Sequence, residues 1–383
     1  MSKELYTKWV ACWGNATSIS DRKEATYAKD LTLRYPIEIC FAGSKLRFHF
    51  SNLTGTETVQ ITNAFVAKKN LHSYEPIAIT FGGKKTGEIP AGKEIRSDEI
   101  PFAVSAGETL DISLYLKDFT QMNAGTLVTG PLSKGSFCYG DFAKEKDFPR
   151  DISRSTNWFY FLNTVDILTE EKNFALVCYG DSITAQDWPD YLKIRAKREG
   201  FENVAIIRRA VCGTRILREY SCITYAAYGL KGETRFPIEI ETAGAKSVII
   251  QHGINDIIHP VGVEVNPFRP MSDMPTAKDL IEGVEKFYLP LARKKGLNVW
   301  SGTLLPIFGW RTYNASKDAV RNEFNGWLRT SQAFDGCVDF DEALRDSKKT
   351  ECFADGMDSG DHLHPSSNAY ACMAEAVPAV LLK

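Results

Sequence analysis

The sequence contains no long apolar run, and this absence excludes a membrane-spanning helix. No stretch approaches the ~18–20 consecutive apolar residues that such a helix needs. The first residues, MSKELYTKWVACWGNATS, also lack an uninterrupted apolar stretch after their early lysines, unlike a secretory signal. We therefore expect a protein with no membrane span and a cytoplasmic location, although export by another route stays open.

Paired cysteines and a strong net charge are missing as well. The nine cysteines form an odd set without paired spacing, which favours reduced thiols over a disulfide framework. A net charge of -2 on 383 residues produces no field that would recruit nucleic acid or an anionic membrane. We expect a small-molecule partner and no nucleic acid, and the oligomeric state is not indicated.

The first half of the chain has the side-chain pattern of β-strands. Polar and apolar residues alternate in Lys45–Phe50, Thr58–Ile61 and Leu110–Leu116, within a region from about residue 30 to 165. This period of two is typical of strands with one buried face, and a chain of this length exceeds a usual single core. We expect a first domain over residues 1–168 that is an all-β, jelly-roll-like sandwich.

The second half has a different pattern. Helical spacings of apolar residues, as in Leu280–Leu291 and Val320–Leu328, alternate with apolar runs that are rich in β-formers. Strands of this kind predict a parallel sheet covered on both faces, so residues 169–383 are expected to form an α/β domain. Ligands bind such sheets beyond the carboxyl ends of the strands. The apolar runs are 174–179, 204–207, 247–251, 298–304 and, more weakly, 337–340.

Two segments at the boundaries of predicted elements carry residues suited to nucleophilic chemistry. The sequence GDSIT at 180–184 follows the first apolar strand, and DHLHP at 361–365 precedes the last predicted helix. An aspartate three residues before a histidine can orient its imidazole, which then acts as a base toward a serine hydroxyl. The alternatives are that Ser182 caps a helix and that Asp361 is a loop or capping residue.

Two further segments follow predicted strands and offer hydrogen-bond donors. Gly213 lies in CGT at 212–214, and Asn255 lies in GIND at 253–256. A glycine exposes its backbone N–H to a ligand, and the amide of an asparagine can stabilise a developing oxyanion. The alternatives are an ordinary turn glycine and an Asn-Asp turn.

In this order, and with the wording GDSI, GIND and DHLH, the four segments resemble the GDSL/SGNH hydrolase superfamily over roughly residues 172–383. The resemblance implies a flavodoxin-like domain with a five-stranded parallel sheet, and a serine esterase that needs neither metal nor organic cofactor. It assigns Ser182, Asp361 and His364 to a catalytic triad. It also assigns Ser182, Gly213 and Asn255 to an oxyanion hole. The first half is similar to the β-sandwich that accompanies some bacterial members.

The substrate is less constrained than the reaction. We expect deacetylation of a carbohydrate, with Asp181, Trp188, Trp310 and Tyr313 near the substrate. Flat aromatic rings suit sugar rings but are equally typical of a core. A lipase, lysophospholipase or thioesterase of the same superfamily is one alternative, and a carbohydrate-binding protein with a vestigial hydrolase site is another.

Overall fold

Short strands make up the first half of the chain in the computed structural model, which describes residues 5–18, 26–69, 73–220 and 228–383. These strands are β1 (Lys8–Gly14), β2 (Tyr27–Ala28), β3 (Leu31–Glu38), β4 (Gly43–Ser51), β5 (Val59–Ile61), β6 (Asn63–Lys68), β7 (Ile77–Ala78), β8 (Gly87–Ile89), β9 (Glu94–Arg96), β10 (Ile100–Val104), β11 (Thr109–Leu116), β12 (Thr120–Gln121), β13 (Gly125–Leu127), β14 (Gly135–Tyr139), β15 (Arg154–Thr156), β16 (Trp158–Tyr160) and β17 (Leu162–Thr169). The strands predicted around residues 45, 59 and 113 are confirmed.

Two antiparallel sheets contain most of these strands. One has the order β1-β17-β4-β10, with β9 beside β4, and the other has the order β15-β14-β3-β11-β6-β7. The strand β1 lies outside the region predicted as β, which was expected to begin near residue 30. It is a full member of the first sheet because residues 8–14 pair with residues 164–169 of β17.

A common apolar core joins the two sheets. Phe48 of β4 and Val165 of β17 are fully buried in the same cluster as Leu33 of β3 and Ile112 of β11. Side chains on the inner face of each strand therefore point into one layer, as the alternation predicted. The first half of the chain is a β-sandwich.

A parallel sheet forms the frame of the second half. Its strands have the order β19-β18-β20-β21-β22, and the register of β20, β21 and β22 is parallel. Every residue of β18 is buried, as expected for a strand covered on both faces. The five strands are β18 (Phe174–Gly180), β19 (Val204–Ala210), β20 (Ala245–Gln251), β21 (Asn298–Gly302) and β22 (Gly336–Val338). The predicted five-stranded α/β domain is confirmed.

Helices connect these strands and begin at defined caps. Thr276 and Asp279 form a capping box at the start of α5, and Ser366 caps α9. The helices α5 and α6 are separated by a break at Tyr288, two residues before Pro290. The helices are α1 (Ser182–Ala185), α2 (Trp188–Arg198), α3 (Gly232–Glu239), α4 (Ile254–Ile258), α5 (Ala277–Phe287), α6 (Leu289–Lys294), α7 (Ala315–Thr330), α8 (Phe340–Leu344) and α9 (Ser367–Ala376), with 3-10 turns at Met271–Asp273 and Ala379–Leu382.

Contacts within the chain divide it into two compact units. One consists of Met1–Ala175 with Glu202–Ile207, and the other of Leu176–Phe201 with Arg208–Lys383. The boundary expected between residues 168 and 169 stays a prediction. Among the helices of the described ranges, none has the length and apolar character needed to cross a bilayer.

Candidate active site

The serine of the GDSIT segment lies directly beyond the end of β18. The helix α1 begins at Ser182, and the Asp181 side chain caps it by accepting from the N–H of Ile183 at 3.1 Å. Gly180, the last residue of β18, has no room for a side chain, because a Cβ there would lie 2.6 Å from Thr184 Oγ1. The close turn holds Ser182 at the carboxyl edge of the sheet, with 8 % of the residue exposed.

The structure brings His364 and Asp361 to this serine. Ser182 Oγ and His364 Nε2 are 2.9 Å apart, and His364 Nδ1 lies 2.6 Å from Asp361 Oδ2. The two nitrogens of one imidazole therefore connect a hydroxyl to a carboxylate. In this arrangement the carboxylate favours the proton on Nδ1, which leaves Nε2 as the acceptor that faces the hydroxyl.

Hydrogen bonds keep Asp361 in its ionised form. Its Oδ1 accepts from the backbone N–H of Leu363 at 2.9 Å and of His364 at 2.8 Å. Partial burial opposes ionisation, but the bonds from the His364 side chain and from the two N–H groups outweigh it and hold the pKa of Asp361 below its usual value. The carboxylate is thus both anchored to its own loop and charged next to the imidazole.

The second and third segments are joined by one hydrogen bond. Asn255, in α4, donates from Nδ2 to the backbone carbonyl of Thr214 at 3.1 Å. Gly213, the residue before Thr214, has a φ of +77°, a conformation that L side chains rarely adopt. A Cβ at Gly213 would also collide with the ring of Tyr228. The glycine therefore meets two requirements that an alanine would not.

A buried arginine supports this edge of the sheet, and the sequence analysis missed it. Arg235 of α3 is 2 % exposed and donates from Nη1 to the carbonyl of Gly180 at 3.2 Å and to Thr214 Oγ1 at 2.7 Å. Its charge is balanced by Glu239, 2.7 Å from Nη2. The Arg-Glu spacing of four residues was the available signal, because such pairs share one helix face.

Two of the residues expected near the substrate are buried in the protein instead. Trp188 is 0 % exposed, packs on Phe340 and donates from Nε1 to Thr184 Oγ1 at 3.3 Å. Asp181 is 1 % exposed, and burial raises its pKa to about 7. The expectation that they contact substrate is wrong for this structure, because both side chains lie beneath the surface, Trp188 in core packing and Asp181 at the cap of α1.

The other two expected residues lie on a partly exposed loop after β21. The ring of Trp310 meets that of His364 edge-on, with 6.4 Å between centroids. Tyr313 packs edge-on against Phe308, an aromatic residue that sequence reasoning missed and that is 47 % exposed. Trp310 thus borders the imidazole directly, whereas Tyr313 contacts its neighbour in the loop.

A second aspartate–histidine pair lies in the segment that contains Asp361. His362 Nδ1 is 2.5 Å from Asp358 Oδ2, and His362 has a φ of +63°. A Cβ on Gly309 would lie 2.7 Å from the His362 ring. The absence of a side chain at Gly309 therefore lets the Trp310 loop approach this segment.

Comparison with solved structures gives similarities at low sequence identity. A family two carbohydrate esterase from Cellvibrio japonicus is 12% identical and matches over 98% of this chain and 97% of its own, with a TM-score of 0.37. A GDSL-like lipase from Bacteroides thetaiotaomicron is 16% identical over 54% of this chain and 87% of its own, with a TM-score of 0.37. An acetyl-xylooligosaccharide esterase variant from Geobacillus stearmophilus is 14% identical over 53% and 91%, with a TM-score of 0.39.

Comparison with family models gives a clear assignment, whereas no curated protein matches the chain by sequence. The model of the GDSL-like lipase/acylhydrolase family matches residues 178–372. That range covers slightly more than half of the chain and contains the GDSI, GIND and DHLH segments. The chain belongs to the GDSL-like lipase/acylhydrolase family and is a carboxylic ester hydrolase.

Proposed function

We propose that Ser182, His364 and Asp361 are the catalytic triad of this hydrolase. The observation that carries the proposal is the continuous path from Ser182 Oγ through both nitrogens of His364 to Asp361 Oδ2, with steps of 2.9 and 2.6 Å. Both lengths are those of hydrogen bonds. A residue that only caps a helix does not need an imidazole at its hydroxyl.

The chemistry follows from the role of each atom. Ser182 Oγ forms a bond to the ester carbonyl carbon while His364 Nε2 takes the hydroxyl proton. The imidazolium then gives this proton to the alcohol oxygen as the C–O bond of the ester breaks. A water molecule attacks the acyl-enzyme with His364 again as base, and the acid leaves. Asp361 stays ionised and stabilises the imidazolium.

The oxyanion of the tetrahedral intermediate needs donors that are already in position. We assign this role to the N–H groups of Ser182 and Gly213 and to the amide of Asn255. An amide NH₂ has two hydrogens, and the bond to the carbonyl of Thr214 uses one of them. The second hydrogen is the one proposed to face the oxyanion. Each donor of this kind contributes a factor of ~10²–10³ in rate.

For the substrate, we propose an acetylated carbohydrate. Support comes from Trp310, whose ring is partly exposed beside His364 and offers a flat apolar face for a sugar. Among the described residues, Trp310 Nε1 has no hydrogen-bond partner. That nitrogen is buried, so the support from Trp310 is the partly exposed ring and not its N–H. Tyr313 contributes by holding Phe308 in the same loop.

The test of the reaction is covalent labelling together with ester turnover. A fluorophosphonate should add to Ser182 in the unmodified protein, as read by peptide mass. Ser182→Ala should lose labelling and lower kcat by a factor on the order of 10⁶. Ser367→Ala, which alters an exposed serine of α9, is the matched control. It should keep both the labelling of Ser182 and the kcat of the unmodified protein. Full turnover in a folded Ser182→Ala protein would remove Ser182 from the mechanism.

The substrate class is tested by measuring how kcat/KM depends on the length of the acyl chain. With p-nitrophenyl esters from acetate to laurate, kcat/KM should fall steeply as the chain lengthens, and acetylated sugars should release acetate. A profile that rises toward laurate would replace the carbohydrate proposal with the lipase or lysophospholipase alternative.

A further inference from the structure

A polar cavity opens beside the loop that follows Gly213. Its volume is about 430 Å³, and its lining includes three cationic side chains, those of Arg215, Arg218 and Lys231. The acidic side chains in the lining are those of Glu219 and Asp273. The cavity therefore presents more positive than negative groups, on a protein whose overall charge is close to zero.

Arg215 is the buried member of this lining. It is 3 % exposed, yet its Nε has no hydrogen-bond partner among the residues that the structure describes. The nearest carboxylate contact joins Nη1 to Asp273 Oδ2 at 3.5 Å, longer than the ~2.7–2.9 Å of a strong charged hydrogen bond. A buried guanidinium with unused donors is costly unless another group completes its bonding.

The carboxylates around the cavity equal its cations in number, but they leave the two arginines without a close partner. Asp273 is shared, because Arg218 Nε also lies 3.5 Å from its Oδ1. Lys231 Nζ pairs with Glu233, and the carboxylate of Glu219 accepts from the N–H of Lys231 at 3.2 Å. Among the described residues, Asp273 is the carboxylate within ion-pair distance of the two arginines, and the 3.5 Å contacts leave donors of both available.

The loop that bears Arg215 is also the loop of the proposed oxyanion hole. Two residues of chain span at most ~7 Å, so the backbone of Arg215 lies next to that of Gly213. Asp256, the neighbour of Asn255, fixes the loop by accepting from the N–H of Ile216 at 2.7 Å and of Leu217 at 3.0 Å. The cavity and the proposed oxyanion donor Gly213 are therefore carried by one fixed loop, and an ester held at that donor would lie near the cavity.

We propose that the cavity binds a carboxylate on the alcohol part of the ester, so that the substrate is an acidic acetylated sugar. The assignment of the ester rests on the proposed function, whereas binding of the anion does not. Arginine matches a carboxylate through two parallel N–H···O bonds. Tyr220, whose ring lies 4.4 Å from the Arg215 guanidinium, and Phe268 border the same space with ring surfaces that suit a sugar.

A purely structural role for Arg215 makes a different prediction. Asp256 is fully buried, and burial raises its pKa to about 6; the positive charge of Arg215 acts against this rise. If balancing Asp256 were the only task of Arg215, its replacement would lower stability without changing the preference between acidic and neutral ligands. Preference between two matched ligands is therefore the decisive readout.

The first experiment measures binding and does not depend on turnover. Methyl glucuronoside and methyl glucoside, which differ in the carboxylate, are titrated calorimetrically into the full chain carrying Ser182→Ala. The acidic sugar should bind at least about tenfold more tightly, as expected for one new charged hydrogen-bonded pair. Adding Arg215→Gln or Arg218→Gln should abolish the difference. Adding Lys294→Gln, which removes an exposed cation outside the cavity lining, should preserve it.

The second experiment measures acetate release from the acetylated forms of the same two sugars. The ratio of their kcat/KM values should favour the acidic sugar and should fall about tenfold in Arg215→Gln, mainly through KM. If Arg215→Gln fails to fold, Arg218→Gln gives the same comparison, since the Arg218 side chain is 53% exposed and its removal leaves no buried gap.

The possible results separate the two proposals. Equal affinity for the two sugars, or a preference that survives both arginine substitutions, would overturn the carboxylate site. Tighter binding of inorganic phosphate than of methyl glucuronoside, lost in Arg215→Gln, would also overturn it and make the cavity a phosphate site. Preserved acidic preference in binding without any ester hydrolysis would overturn the proposed function and leave the anion site standing.

Discussion

The segment before α9 holds two aspartate–histidine pairs with nearly the same local geometry. Asp358 and His362 are joined at 2.5 Å, and Asp361 and His364 at 2.6 Å. Each aspartate also accepts two backbone N–H groups of its own turn. The pairs differ in what lies beyond the imidazole. His364 reaches Ser182, whereas the His362 side chain is 53% exposed.

The same aspartate–histidine bond therefore forms both with and without a serine hydroxyl at the far side of the ring. The local turn explains both bonds, because each carboxylate first fixes its own loop and then reaches the ring that follows. What distinguishes His364 is a hydroxyl supplied by a residue 182 positions earlier in the chain. The comparison can be tested by making the same substitution in each pair and measuring turnover.

The largest expected contrast comes from replacing each histidine by asparagine. His364→Asn removes the proposed base and should lower kcat for p-nitrophenyl acetate by a factor on the order of 10⁶. The kcat of His362→Asn should stay within about twofold of that of the unmodified protein. Asparagine tolerates the positive φ of this position, so the backbone should keep its conformation. Steady-state kinetics on both variants, with circular dichroism to confirm folding, checks the contrast. Similar losses in the two variants would mean that the exposed pair also takes part in turnover.

Replacing each aspartate by asparagine should give the next largest contrast. Asp361→Asn removes the charge that orients and stabilises the His364 imidazolium, and kcat should fall by a factor of ~10⁴. Asp358→Asn keeps an oxygen for the N–H groups of Gly360 and His362, so we expect turnover close to that of the unmodified protein. An Asp361→Asn protein with full kcat per titrated site would refute the role assigned to that carboxylate.

Substituting Asn255 sharpens the comparison, because it leaves both pairs intact. Asn255→Ala should lower kcat by ~10²–10³, less than either loss at the triad, since one oxyanion donor is removed while nucleophile and base remain. Asn255→Asp should be worse, because it places a carboxylate beside developing negative charge. If the amide served only to hold the Thr214 carbonyl, a thermal melt would show a lowered Tm while kcat per titrated site stayed unchanged.

The smallest expected effect concerns stability. The Asp358–His362 pair is mostly exposed on the histidine side, and exposed ion pairs contribute only ~0–1 kcal/mol. The double variant Asp358→Asn, His362→Asn should therefore unfold within about 1 kcal/mol of the unmodified protein, and added salt should shrink the difference. Urea unfolding at low and high ionic strength gives both quantities. A larger loss that persists in salt would show that this pair is a structural anchor.

Much of the second half could be predicted from the sequence because its signals are local. Apolar runs gave the strands β18 to β22, and the break at Tyr288 agrees with the proline two residues later. In the first half, the strand β1 was missed. Its sequence KWVACWG is apolar at most positions, so it does not show the alternation of a half-buried strand. Its assignment depends on pairing with β17, which is distant in the chain.

The site was predictable where residue type determines chemistry and not where packing does. Ser182, His364 and Asp361 come together as their motif suggested. Trp188 did not behave as expected, because an aromatic residue after a strand has the same appearance in a sequence whether it faces a ligand or Phe340. Arg215 was invisible for the same reason, since only a structure shows that a guanidinium is buried without full pairing.

The distance along the chain between Ser182 and His364 has a consequence for biosynthesis. The two residues are separated by 182 positions, and His364 lies shortly before the final helix α9. A polypeptide that is still being translated contains the proposed nucleophile long before it contains the proposed base. If His364 is the base, a chain that stops before residue 364 lacks it, and a turnover assay would report only on chains that include the DHLH segment.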